Sequence, residues 1–386
     1  MKRRLVFFLF LSSLVALAVS SSMNCQEKLP DHTIVLRWHK AYPAENWSAV
    51  KTGLLWSLSF LGADLPKGCW EKATVRTDST SLQLDYSLLG FNEPALQALD
   101  LVCDSIKKTP EYKRDQGIDL SRFLVLTLHS SWHYYRITGV EKDLAAFIKK
   151  YRLQQPLEFG VTKSCVAEHH RVIRFNDTAD IMQTAFYAVE TEDSISKPGF
   201  HEAVYEAMDF MPNGQLRFAV YDANGKLIPG SPSKLGKAGK PSKCLWCHEI
   251  VIQPLFFENR AVERMMSNEE FERRRSVMQK RLEDYRAKLQ SEIDFTKKQD
   301  HTYSELLYIS FMEPAAMRIE AEWKMDPLAV KTKTAKLQTH VYEEFPFLGD
   351  SYYRYYIDSM AGKKNLAVPL SVRETVGQEP DYFEKK

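Results

Sequence analysis

Six cysteines and ten histidines are distributed over the 386 residues, and one run of five residues combines both types. Cys244 and Cys247 are three positions apart, and His248 directly follows the second cysteine. Thiols at this spacing can form a disulfide, exchange with other thiols, bind zinc or bond covalently to a cofactor, and a neighbouring imidazole can ligate a metal. This run is therefore the principal candidate for chemistry in the chain.

The pattern C-x-x-C-H is the attachment sequence of c-type haem. At these five residues the chain resembles the monohaem c-type cytochromes. The resemblance implies that Cys244 and Cys247 form thioether bonds to the two haem vinyl groups and that His248 is the proximal ligand of the iron. Covalent haem c, with its iron, is thus the expected cofactor, and the axial ligands would set its redox potential.

Other interpretations of the cysteine pair stay open. Thioredoxin-like sites place a tryptophan before the first cysteine and follow a βαβ strand, whereas Trp246 lies between the cysteines here. A zinc site needs further ligands, and no second C-x-x-C or H-x-x-x-H follows at finger spacing. The alternative is a haem-free surface-binding module with a structural disulfide or a zinc ion at Cys244 and Cys247.

The second axial ligand of the iron decides between two functions. A methionine or histidine favours one-electron transfer, whereas an open position permits ligand binding or catalysis, as in a haem enzyme or gas sensor. Met265 and Met266 follow the motif at a distance that suits a methionine ligand. His129 and His133 would share one face of a helix; aromatic packing explains them better than metal ligation, and a distal haem ligand is the alternative.

The first 25 residues are typical of an export signal. A basic head, Lys2 to Arg4, precedes a mostly apolar run, Leu5 to Ala18, that is short for a bilayer span. Ordinary cleavage and acylation of Cys25, as in a lipoprotein, both stay open. We therefore expect a periplasmic protein, or one tethered to the membrane only by a lipid on Cys25. Covalent haem attachment in bacteria takes place in that same compartment.

Cysteines outside the motif could form disulfides. An oxidising compartment favours at least one bridge. Cys69 with Cys103 is the expected pair, and Cys165 remains without an assigned partner.

Hydrophobic periodicity indicates an α+β fold. Residues 31–155 form a predicted helical N-terminal domain, with helices from Trp47 to Leu58 and from about Asn92 to Ile106. Residues 156–228 alternate with period two and contain Asn-Gly turns, as in an antiparallel β-meander of three to five strands. Residues 229–386 combine a flexible linker with a helical haem-bearing region, in which Ser267 and Glu270 form a capping box. The order of sheet, loop and motif is similar to that in cytochromes of the c-prime-beta kind.

The amino-acid composition limits the classes of binding partner that we expect. A formal net charge of +2 with 26% charged residues gives no support for nucleic-acid binding. Four lysines in the linker, Lys234, Lys237, Lys240 and Lys243, would give one edge of the haem a basic rim that attracts an acidic redox partner protein. The sequence thus predicts an exported monohaem cytochrome that transfers single electrons. This function is favoured over that of an enzyme.

Overall fold

The computed structural model describes residues 31–164, 166, 170–192, 194–195, 199–235, 239–248, 250–252, 260–361 and 383. The predicted export signal with Cys25 lies outside the described residues, as do Cys165 and Lys237. From His32 onward the described chain forms one unit that combines helices with sheets, which confirms the predicted α+β class.

Short helices make up most of the N-terminal part. Within the described residues its α-helices are α1 Trp47–Phe60, α2 Cys69–Ala73, α3 Glu93–Lys108, α4 Pro110–Asp115, α5 Leu120–Leu124, α6 Ser131–Thr138 and α7 Leu144–Lys150. The side chain of Asn46 caps α1, and that of Asn92 caps α3 by accepting a hydrogen bond from the backbone of Ala95. Both helices occur where the sequence predicts them. A π-helical turn, Val125–His129, connects α5 to the start of α6.

A small mixed sheet accompanies these helices. Its strands are β1 Thr33–Arg37, β2 Thr74–Arg76, β3 Ser81–Asp85 and β4 Ile118–Asp119. The spatial order is β2-β3-β1-β4, with β4 parallel to β1 and the other pairs antiparallel. The predicted helical domain did not include this sheet, because its strands of two to five residues pair across segments that lie far apart in the chain.

The central part is an antiparallel meander of five strands in chain order. They are β5 Leu157–Val161, β6 Arg171–Phe175, β7 Phe186–Thr191, β8 Glu202–Phe210 and β9 Leu216–Asp222. The predicted turn at Asn213-Gly214 joins β8 to β9, and Gly214 takes the left-handed conformation (φ +82°) that this turn requires. The meander was correctly predicted, since its strands are long enough for alternation to show.

The C-terminal part returns to helix. Its α-helices are α8 Pro241–His248, α9 Asn268–Arg286, α10 Thr302–Met312, α11 Ala316–Trp323, α12 Pro327–Thr334 and α13 Arg354–Met360, and β10 His340–Val341 pairs with β11 Asp350–Ser351. Ser267 caps α9 by accepting a hydrogen bond from the backbone nitrogen of Glu270 (3.2 Å), as predicted. Within the described residues, no helix has both the length and the apolar character needed to cross a bilayer.

Helix α9 covers one face of the meander. Phe271 stacks on Phe159 of β5, with ring centroids 4.0 Å apart and planes 4° from parallel. Met278 and Leu282 follow on the same side of the helix and are fully buried. This packing leaves the neighbouring part of the sheet face to the helix that carries the motif.

Buried ion pairs fasten the C-terminal helices to the N-terminal part. Arg318 of α11 pairs with Asp119 of β4, and Arg354 of α13 pairs with Glu322 of α11 (2.7 Å). The guanidinium of Arg354 also lies over the ring of Phe311, 3.9 Å from its centroid. The paired charges compensate one another out of contact with water.

Candidate functional site

The predicted attachment motif lies on helix α8. Leu245 is buried in the core with 2% exposure, which sets the rotation of the helix about its axis. Cys244 and His248 are one helical turn apart and therefore face the same side. Cys247 lies about 60° around the axis from Cys244 because each residue turns the helix by about 100°.

A cavity between the meander and helices α8 and α9 receives two of the three motif side chains. Cys244 and His248 both line it, and its empty volume is about 780 Å³, including the part open to solvent. The sheet contributes mostly apolar walls, among them Phe186, Met208 and Phe218. We refer to this space as the sheet cavity.

His248 is packed against the sheet. Its ring centroid is 5.1 Å from that of Phe218, and Nδ1 lies 3.3 Å from the carbonyl oxygen of Val251. Burial lowers the pKa of His248 to about 4, partly opposed by the contact with Val251. The imidazole is therefore neutral at pH 7, and with Nδ1 directed at a carbonyl its Nε2 has the lone pair that a metal ligand needs.

Among the described residues, neither cysteine of the motif forms a disulfide, with the other or with a further cysteine. Burial, together with the nearby carboxylate of Glu206, raises the pKa of Cys244 well above its ordinary value. A reactive redox thiol requires the opposite shift, toward the thiolate. Cys247 lines a different cavity, beside a neighbouring face of α8, with Trp246 and His301.

A charged trio lies on the sheet at the sheet cavity. Arg171 of β6 donates hydrogen bonds from Nη2 to Glu190 of β7 and to Glu206 of β8 (2.7 Å). Nε of Arg171, Oε2 of Glu190 and Oε1 of Glu206 are buried and have no hydrogen-bond partner among the described residues. One guanidinium thus faces two carboxylates, and each group keeps bonding capacity for a further polar group. Only contacts between three strands bring these residues together, so the sequence did not identify them.

The predicted methionine ligands are placed elsewhere. The sulfur of Met265 lies against Gly160 of β5, where an added Cβ would approach it to 2.9 Å, and the backbone nitrogen of Met266 donates to the carbonyl of Glu158 (2.9 Å). Neither lines the sheet cavity with His248, whereas Met208 of β8 does. Alternation along β8 could have suggested an inward side chain at Met208, but not which helix it would face.

His129 and His133 do not form a metal pair. The hydroxyl of Tyr308 and that of Ser242 contact the His129 ring, Ser242 at 2.9 Å from Nδ1, and the ammonium of Lys240 donates to Nε2 (3.3 Å). Burial and then Lys240 hold the pKa of His129 well below its usual value. His133 instead contacts the carbonyl oxygen of Leu126.

The burial of Lys240 beside His129 corrects one part of the prediction of a basic rim. Lys240 is only 3% exposed, so it does not present its charge to a partner protein. Lysine has a long apolar stem that allows burial, and here its ammonium reaches His129 rather than solvent.

The prediction of a disulfide between Cys69 and Cys103 is wrong. Both thiols are free and buried. Cys69 begins α2, near Glu292, whereas Cys103 lies within α3 beside the hydroxyl of Tyr86. Their spacing along the chain contained no information on these separate environments.

The described residues contain no group of three or more histidine, cysteine, aspartate or glutamate side chains arranged to hold a metal ion. A zinc ion at Cys244 and Cys247 would therefore lack a full set of protein ligands in this part of the chain. Comparison with protein-family models, curated protein sequences and solved structures finds no match.

Proposed function

We propose that this protein is an exported monohaem c-type cytochrome that transfers single electrons. Cys244 and Cys247 would hold the haem covalently, and His248 would be the proximal ligand of the iron. The observation that carries the proposal is that Cys244 and His248 line one apolar cavity from the same side of one helix. The motif pattern supplies the chemical identity of the group.

The residues present fit this cofactor. The donor set consists of two thiols three positions apart that are in no disulfide among the described residues, and a neutral imidazole, all on one short helix. Phe186 and Phe218 give the cavity apolar walls, and the buried Nε of Arg171 offers a hydrogen-bond donor to a carboxylate such as a propionate. When bound, haem c supplies reversible one-electron chemistry at iron.

The chain's own residues have positioning roles in this proposal. Phe218 and the carbonyl of Val251 orient the His248 ring from two sides. The high pKa of Cys244 keeps its thiol protonated at neutral pH, which protects it from disulfide exchange before attachment.

A second candidate, a haem enzyme or gas sensor with an open distal position, is favoured by the charged trio. Glu206 and Arg171 line the sheet cavity and keep unused polar atoms among the described residues. A ligand held at an open iron position could use such groups. Met208, by contrast, is the side chain that would close the position in an electron carrier.

Two measurements test these proposals. Full-length protein matured with the haem-attachment machinery should give a c-type α band as a pyridine haemochrome, at one haem per chain. Cys244→Ser together with Cys247→Ser should abolish the covalent haem, and Cys69→Ser, also buried but outside the motif, should retain it. A wild-type spectrum without that band would rule out the haem function and leave a haem-free binding module.

Addition of carbon monoxide to the reduced protein separates the carrier from the open-site protein. An unchanged spectrum supports a six-coordinate carrier. A shifted absorption band supports the enzyme or sensor instead.

A further inference from the structure

A second cavity system borders the face of α8 that carries Cys247, next to the face that lines the sheet cavity. Two adjoining cavities, with empty volumes of about 1060 and 1230 Å³ including open solvent, share Gln299, Thr302 and Phe345 as lining residues. Cys247 lines the inner cavity, and Phe347 lines the outer one. We call the combined space the aromatic cleft; it runs from the surface to the motif helix.

The walls of the aromatic cleft are a series of rings in contact. Tyr342 stacks on Phe345 with centroids 5.5 Å apart and planes 19° from parallel. Phe345 contacts Phe347 (5.9 Å), which in turn meets the ring of Tyr42 edge-on (5.1 Å). Phe347 is 52% exposed although it is a large apolar residue. A planar ring can therefore reach this wall from solvent and stack on it.

The inner end of the cleft offers proton acceptors. His301 is only 4% exposed, and its Nδ1 is directed at the carbonyl oxygen of Lys298. That contact assigns the ring hydrogen to Nδ1 and leaves Nε2 as an acceptor. Glu305, one turn along, lines the same end, as does Trp246 of the motif.

We propose that the aromatic cleft binds a hydroquinone ring, which donates electrons to the haem attached at Cys247. This inference rests on the proposed function for the electron transfer but not for the binding. One hydroxyl of a hydroquinone can donate to His301 or to Glu305 at the inner end, the other hydroxyl then points toward the open end of the cleft, and the flat apolar face matches Phe345. A ligand at this end contacts Cys247 itself, which places a redox-active ring next to the edge of a haem bonded there.

The reaction is balanced in two equal steps. In each step one O–H bond of the ring breaks and one electron reduces ferric iron to ferrous. The proton of the inner hydroxyl passes to Nε2 of His301 or to the carboxylate of Glu305, and the proton of the opposite hydroxyl passes to water at the open end of the cleft. Two steps convert the hydroquinone to the quinone and consume two ferric equivalents. The redox partner protein of the proposed function removes the electron from the iron between the steps.

Binding is tested first on the full chain without haem. The probe is reduced 1,4-naphthohydroquinone under anaerobic conditions, with quenching of tryptophan fluorescence and calorimetry as readouts. We expect Phe347→Ala to weaken binding about tenfold through lost stacking, and His301→Phe, which keeps a ring but removes the acceptor, to weaken it by a similar factor. Tyr356→Ala removes a surface ring that is 51% exposed and does not line the cleft, and should leave binding unchanged.

Electron delivery is then tested on the haem-loaded protein by stopped-flow reduction. At sub-saturating hydroquinone, Phe347→Ala should slow haem reduction by the same factor as it weakens binding, while reduction by dithionite stays unchanged. The ring is supplied either free in solution or as a long-chain quinol in phosphatidylcholine vesicles. Reduction by the soluble ring alone indicates a soluble phenol as donor, and faster reduction by the vesicles indicates a membrane quinol.

The outcomes separate the two proposals. Binding that depends on Phe347 and His301 in a chain that never attaches haem would support the cleft while the proposed function fails. No binding at millimolar probe, or equal binding by all variants, would overturn the cleft proposal whatever the haem content. Because Phe347 is largely exposed, its replacement tests the cleft without disturbing the fold.

Discussion

Nη1 of Arg286 donates a hydrogen bond of 2.7 Å to the carbonyl oxygen of Ile250, two residues beyond His248. Ile250 has a positive φ of +62°, a conformation that a β-branched residue rarely adopts, at a cost of about 1–3 kcal/mol. The same guanidinium donates through Nε to the carbonyl of Gly214 in the β8–β9 turn (2.8 Å). Arg286 thus ties the chain that leaves the motif helix to the meander and holds a strained backbone turn in place.

Removal of the hydrogen bonds of Arg286 should lower the free energy of unfolding. Arg286→Met fills similar space but leaves the Ile250 and Gly214 carbonyls without their donor, so we expect a loss of about 2 kcal/mol in the free energy of unfolding. Urea denaturation followed by circular dichroism measures it. Arg273→Met on the same helix, at an arginine that is 62% exposed and pairs with Glu270, should change stability by less than about 0.5 kcal/mol. Equal effects of the two substitutions would contradict the role of Arg286.

The second axial ligand of the proposed haem iron can be tested directly. We expect reduced wild-type protein not to bind carbon monoxide and Met208→Ala to bind it, because Met208 shares the sheet cavity with His248. Met265→Ala and Met266→Ala are matched controls, because both residues contact β5 outside the sheet cavity, and both variants should behave as wild type. A carbon monoxide shift in Met265→Ala or Met266→Ala alone would restore the prediction made from sequence spacing.

The contact between α1 and α10 depends on Gly53. A Cβ at this position would lie 2.6 Å from the carbonyl oxygen of Tyr303, and backbone cannot move aside cheaply. Gly53→Ala should therefore destabilise the protein by roughly 1–3 kcal/mol, despite a gain of about 1 kcal/mol in helix propensity. Thermal denaturation measures the difference. Ser48→Ala, on an exposed position of α1, is the control and should have a melting temperature near that of wild type.

Stability should decrease in acid. Burial alone would raise the pKa of Asp119 and of Glu322, but Arg318 acting on the first, and Arg354 with Arg318 acting on the second, outweigh it and hold both values below their usual range. Carboxylates with a depressed folded-state pKa add stability that is fully present above their unfolded values, about 3.9 and 4.3. That stability is lost as the pH falls through the lower folded-state values.

Denaturation at several pH values below about 4 tests this effect. Glu322→Gln should cost about 3–5 kcal/mol at pH 7, since it removes the buried carboxylate that Arg354 and Arg318 share. It should also flatten the acid dependence of stability by up to about 1.4 kcal/mol per pH unit. Glu343→Gln, at an exposed residue, should reproduce the wild-type curve. An unchanged slope in Glu322→Gln would show that other carboxylates control acid unfolding.

Much of the secondary structure was predictable because its signals are local. Asn46 and Asn92 cap helices where the periodicity begins, and Asn213-Gly214 turns the chain between the last two strands of the meander. The sheet formed by β1 to β4 was not predictable in this way. Its pairing, such as Leu36 beside Ile118, joins short segments separated by most of the N-terminal part.

The candidate site shows the same division between residues that local patterns indicate and residues that only long-range packing brings together. Cys244, Cys247 and His248 were chosen as candidates from their types and spacing alone, because the C-x-x-C-H pattern is contiguous along the chain. Met208, Arg171 and Glu206 were not, because each comes from a different position on the sheet.

The sequence by itself determined the spacing of Cys244, Cys247 and His248, on which the haem proposal rests, since that spacing involves residues within one or two helical turns. Only the tertiary structure decided that Cys244 and His248 face the meander while Cys247 faces the aromatic cleft. It also decided that Lys240 is buried against His129. These outcomes depend on how the sheet, α8 and α10 pack together, and packing joins residues that no local pattern relates.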